Sequence, residues 1–126
     1  MTRIVLVAAA ILAMAAMSFA NQTQKLQTLT GTVTDSMCAQ SHESNIEHAR
    51  ENSGRTMTAK ECTVGCVTRR GQKYVLAADG KIYQIANQDY AGLPVYAAET
   101  VKLTGSLTGD TIRVSQIVSA GKSTSK

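Results

Sequence analysis

Tyr74-Val75-Leu76-Ala77-Ala78-Asp79-Gly80-Lys81-Ile82-Tyr83-Gln84-Ile85-Ala86 decides the fold class of this chain. Two runs rich in β-branched and aromatic residues flank Asp79-Gly80, a dipeptide suited to the positive backbone angles of a two-residue hairpin turn. The runs 74–78 and 81–86 are therefore expected strands. A second hairpin follows downstream, where Val101, Leu103, Gly105 and Leu107 alternate with Lys102, Thr104, Ser106 and Thr108. Gly109-Asp110 then turns the chain into a strand from Thr111 to Val118. Upstream, Leu29, Gly31 and Val33 alternate with Thr30, Thr32 and Thr34, the two-residue period of a half-buried first strand. Between the hairpins, residues 87–99 hold the only proline, Pro94, and are expected to carry a short helical turn.

Five short strands in this order suit a small, mainly β, closed barrel of the oligonucleotide/oligosaccharide-binding (OB-like) type, because closure removes exposed sheet edges. The expected single domain covers residues 29–118, with a flexible lead-in at 21–28 and a flexible tail at 119–126. A fold does not specify a function, so the function has to come from the site.

The chain has 126 residues. Arg3, the apolar run from Ile4 to Met17 and Ser18-Phe19-Ala20 have the layout of an export signal, residues 1–20, cleaved after Ala20. The run is shorter than the about 20 residues that span a bilayer, and no cysteine stands at the cleavage point to take a lipid. A periplasmic or secreted protein without a membrane anchor after cleavage is expected. The 106 residues that remain make one domain and leave no room for separate nucleotide-binding and substrate domains. Without Arg3 the side-chain charge falls from +4 to +3, with the basic residues scattered. The chain has no Trp, its one Phe lies in the signal, and four tyrosines supply the remaining aromatic surface. Such a surface suits nucleic acid poorly, and no nucleic-acid partner is expected.

Every Cys and both His fall within residues 35–73, the long connection between the first two strands, which reads as a helical insertion. Asp35 or Ser36 is placed to cap a helix running toward Arg50, on which Cys38 and His42 would lie one turn apart, about 40° off one line at about 100° per residue. His48 falls to the other side of Cys38 and is expected to be exposed. Thr58-Ala59-Lys60-Glu61 is a capping box opening a second helix, which carries Cys62 and Cys66 one turn apart and stops at Gly71. Arg69-Arg70 then stand at a helix end, where cations complement the backbone dipole.

Cys38, His42, Cys62 and Cys66 thus form a set of three thiolates and one imidazole, the donors of a closed tetrahedral Zn2+ site. Soft thiolates with Met37 or Met57 nearby would also suit Cu+. The alternative is one disulfide with a spare thiol, most readily between Cys38 and Cys62 or Cys66, which would make the domain a disulfide-stapled binding module. A third reading is a small thiol enzyme built on Cys38 and His42, for which the only evident orienting group is Asp35. The spacing is not that of thioredoxin-like or haem-attachment motifs, and no catalytic set is assigned.

At these residues the chain resembles a family of small exported bacterial proteins, common in soil bacteria and of uncharacterised function. The resemblance spans Gly31 to Ile117. It rests on Gly-Thr-Val-Thr-Asp-Ser-Met-Cys at 31–38 with His42, Glu-Cys-Thr-Val-Gly-Cys-Val at 61–67, Lys-Tyr-Val-Leu at 73–76, Lys-Ile-Tyr at 81–83, and Val-Lys-Leu-Thr-Gly at 101–105 through Gly-Asp-Thr-Ile at 109–112 to Val114. It implies a barrel-like domain bearing a Cys/His cluster, with Cys38, His42, Cys62 and Cys66 at the cluster positions, and it implies no activity. Ala39 stands where the family usually has Gly, and the 19 residues between His42 and Cys62 exceed its usual spacer. The sequence therefore favours an exported, non-enzymatic, metal-binding domain whose ligand or protein partner is unspecified.

Overall fold

The computed structural model describes residues 24–121. The expected export signal and most of the tail lie outside these residues. Five strands, β1 (Lys25–Asp35), β2 (Tyr74–Ala78), β3 (Lys81–Ile85), β4 (Thr100–Thr108) and β5 (Thr111–Ser119), close into a barrel in the order β1-β2-β3-β5-β4. All neighbours are antiparallel except β3 and β5, which run parallel through Gln84↔Thr111 and Ile85↔Ile112. Helices α1 (Glu43–Ser53) and α2 (Ala59–Arg70) lie between β1 and β2, and α3 (Gly92–Val95) lies between β3 and β4. The five-stranded barrel with a helical insertion is the architecture expected from the alternation and the turns. Among the described residues no helix is long and apolar enough to cross a membrane.

The barrel core comprises inward residues of every strand, among them Val33, Leu76, Ile85, Leu103 and Ile112, with Leu93 of α3 plugging it. On β5 the inward residues are Ile112, Val114 and Ile117. The three-residue step from Val114 to Ile117 breaks the two-residue period at a bulge opposite Thr104 and Gly105, and the extra residue returns Ile117 to the interior. Asp79 and Gly80 have φ of 51° and 71°, as the first hairpin turn requires. At Gly31 a Cβ would collide with the backbone oxygen of Ala77. The small residue lets β1 pass from its pairing with β4, over Lys25–Thr32, to its pairing with β2, over Thr32–Asp35.

Two expectations need correction. The lead-in assigned to residues 21–28 is strand from Lys25 onward, because Lys25 to Thr28 pair with Leu107 to Thr104 of β4. The first helix does not run from Asp35 or Ser36. Residues 36–40 are turns, and α1 begins at Glu43 with His42 as its N-cap. Ala39 has φ of 47°, outside the right-handed region a helix requires, so Cys38 and His42 do not share a helix face.

Candidate metal centre

The site lies where β1 ends. Asp35, fully buried, accepts hydrogen bonds at Oδ1 from the N–H groups of Met37 (3.0 Å) and Cys38 (2.9 Å), and its carbonyl accepts from Ala39 N–H (2.7 Å). This is the local cap that the sequence suggested, but it closes a turn instead of opening a helix. Ser36 ties the turn to the barrel: its N–H donates to the Lys73 carbonyl (2.9 Å) and its hydroxyl to Gln72 Oε1 (2.8 Å). Cys38 is thereby fixed against α2.

α2 forms as expected. Thr58 Oγ1 accepts from the Glu61 N–H (3.2 Å), Glu61 Oε2 accepts from the Thr58 N–H (2.8 Å), and Gly71 ends the helix in the left-handed region. Cys62 and Cys66, one turn apart, both face inward and are buried. With Cys38 they make a small cluster of their own, against which Ile46 of α1 and Met57 pack. All three thiols are free, and the Cys38 and Cys62 sulfurs lie 3.7 Å apart.

Three sulfur atoms mutually within 4.8 Å form one ligand group, Cys38, Cys62 and Cys66. A second group, Asp35, Cys38 and His42, shares Cys38 with it. The four residues singled out in the sequence therefore fall into two adjoining groups, and Asp35 is an additional member. His42 Nε2 faces Thr63 Oγ1 (2.7 Å), Thr34 Oγ1 (3.2 Å) and Asp35 Oδ2 (3.6 Å). Asp35 Oδ2 is buried and has no hydrogen-bond partner. His48 is exposed on α1 beside the Asn52 amide, as expected.

At two of the three sulfurs the surroundings favour the protonated thiol. Burial pushes the Cys38 thiol up from 9.0 to about 12; the Asn45 amide, donating to its sulfur at 3.1 Å, pulls it down, while Cys62 and Asp35 add to the rise. Burial likewise raises the Cys66 thiol, with Asp35 and Cys62 acting in the same direction. A divalent cation reverses this balance, because it replaces the thiol protons and gives the orphaned Asp35 oxygen a nearby positive charge.

The three sulfurs could hold such an ion, with His42 and Asp35 within reach of Cys38 alone. With metal–sulfur bonds of about 2.3 Å, the edge of a tetrahedral thiolate site is about 3.8 Å, against about 2.05 Å for a disulfide bond. The Cys38–Cys62 separation of 3.7 Å, also that of a thiol hydrogen bond, leaves room for a shared ion and is too long for a disulfide. Asp35, which the sequence marks as a cap and an orienting group, also stands within reach of the cluster. Comparison with known protein families, curated proteins and solved structures gave no match, so the functional reading rests on the chemistry of this cluster.

Proposed function

We propose that the chain is an exported, non-enzymatic domain that binds one zinc ion through Cys38, Cys62, Cys66 and His42. The observation that carries this is the convergence of three buried free sulfurs beside a buried carboxylate oxygen without a partner. Three thiolates and a zinc ion sum to one negative charge. A neutral imidazole as fourth ligand leaves that sum unchanged and completes a tetrahedral set. Asp35 then serves as the carboxylate partner that orients the imidazole. Bound zinc would hold α1 and the 36–40 turn against α2. No nucleic acid takes part in this reading.

The test is native mass spectrometry of the mature protein purified from its exported compartment. The expected result is one zinc per chain, three reduced thiols and an N-terminus at Asn21. Metal-free protein with a Cys38–Cys62 bridge would sink the reading in favour of a disulfide-stapled binding module. Replacing Cys62 or Cys66 with Ser should abolish stoichiometric metal, His42→Ala should weaken it about 10- to 100-fold or more, and His48→Ala should leave it unchanged. Loss with Asp35→Asn and none with His42→Ala would transfer the fourth position to Asp35. Cuprous copper is the second reading, favoured by Met57 packed against the sulfurs. It predicts copper in the native protein and a weaker copper complex in Met57→Leu.

A further inference from the structure

Beside the sulfur cluster a cavity of about 410 Å³ opens between α1 and α2, lined by Arg55, Arg69, Arg70 and His48 and by Cys62 and Cys66. Its size is that of a small-molecule site. No carboxylate lines it. Among the described residues none of the three arginines has a carboxylate within ion-pair distance, while Arg50, Lys60 and Lys81 are paired with Glu47, Glu99 and Asp110.

The helix dipole accounts for only part of this arrangement, since Arg69 and Arg70 both lie in the last turn of α2, where a cation is favourable, but Arg55 precedes the N-terminal end, where it is not. The Glu61 carboxylate near Arg55 is already committed to the Thr58 N–H in the capping box. Arg69 folds back from the helix end, so that a Cβ at Gly65 would collide with its guanidinium. Gly65 lies in mid-helix, where glycine costs about 1 kcal/mol relative to alanine. Its missing side chain leaves the space in which the Arg69 guanidinium sits at the cavity.

We infer that this cavity binds a small oxyanion carrying at least two negative charges, a dicarboxylate or phosphate, gripped by the guanidinium groups of Arg55, Arg69 and Arg70 beside Cys62 and Cys66. Planar guanidinium groups pair with carboxylate or phosphate oxygens two at a time, which gives such a site both affinity and orientation. The residues that hold the anion are separate from the metal ligands, so this inference goes beyond the proposed zinc site and does not require it.

The test is calorimetric titration of the reduced mature chain, zinc-loaded and metal-free, with succinate, inorganic phosphate and, as the monovalent control, acetate at constant ionic strength. At least one dianion should bind about tenfold or more tighter than acetate, and Arg69→Gln should weaken it by about tenfold. Gly65→Ala should also weaken it while leaving the helix at least as stable, since the methyl group displaces the guanidinium without removing its charge. Arg113→Gln, on the outside of β5, controls for overall charge. Whichever of succinate and phosphate binds tighter names the ligand class. The inference is overturned if neither exceeds acetate, or if Arg69→Gln does no more than Arg113→Gln. A chain that takes up no zinc yet binds a dianion overturns the metal reading alone.

Discussion

Ala39 is the residue at which the insertion leaves helical geometry. Its φ of 47° places a Cβ where the left-handed conformation costs an L-residue roughly 1–2 kcal/mol, and glycine avoids that cost. Ala39→Gly should therefore raise the stability of the reduced protein by about 0.5–1 kcal/mol, the gain being trimmed by the greater freedom of glycine in the unfolded chain. A urea midpoint unchanged or lowered would contradict this. Cys38, one residue earlier, makes stability depend on pH. Burial in the folded metal-free protein pushes its thiol up to about 12, from 9.0 in the unfolded chain. Between these values the unfolded chain gives up a proton that the folded chain keeps, so the contribution is fully present below pH 9 and is lost as pH rises toward 12. Each proton so retained steepens the fall toward about 1.4 kcal/mol per pH unit, and Cys66 acts in the same direction. Zinc loading should abolish the fall above pH 9, because a coordinated thiolate has no proton to lose, and should make stability rise with pH below 9, where only the unfolded thiols bind protons. Denaturant midpoints from pH 8 to 10.5, with and without zinc, check this, and a flat metal-free profile would contradict it.

Among the elements, the insertion's two helices differ in what holds them. α2 has a complete capping box, a left-handed glycine stop and the buried residues Cys62, Thr63, Gly65 and Cys66. α1 has no side-chain cap and no buried residue, and reaches the cluster mainly through Ile46 and the Asn45 amide. Amide exchange in metal-free protein should therefore be fast along residues 43–53 and slow in α2, with zinc slowing α1 selectively. Equal protection of both helices without metal would count against this ordering. The same contrast explains what the sequence disclosed. The α2 boundaries follow from Thr58, Glu61 and Gly71, and the hairpin turn from Asp79-Gly80, all signals local to the chain. What was illegible depends on distant partners. Lys25 to Thr28 become strand only because β4 lies beside them. Asn87 is a loop residue by composition, yet its side chain accepts from the Val114 N–H (2.8 Å) and donates to the Val114 carbonyl (2.9 Å), extending the parallel β3–β5 edge. Gln88 does the same for Tyr74, accepting from its N–H and donating to its carbonyl, both at 2.8 Å. Asp35 read as a cap because its contact with the cluster depends on His42 and the 36–40 turn.

At the scale of the whole molecule the chain holds two cores of unequal strength. The barrel has a continuous apolar core fed by all five strands, whereas the insertion has three cysteines with Ile46 and Met57 leaning on them. A thiol cluster of that size offers little apolar area, so a metal ion on the sulfurs would supply most of the insertion's hold on α1. A ligand that binds only the folded arrangement stabilises it by about 2.7 kcal/mol when its free concentration is a hundredfold above its dissociation constant. This stabilisation acts on the unit that contains the site. Removing zinc with a chelator should therefore expose residues 36–57 to proteolysis and lower the temperature at which α1 is lost, while the barrel's own transition, followed through the buried Tyr74, shifts much less. Cys66→Ser should reproduce the chelated state, and adding zinc to it should restore nothing. If chelation instead lowered both transitions together by the same amount, the insertion and the barrel would be one cooperative unit. The cluster would then stabilise the entire domain, not only the helices it joins.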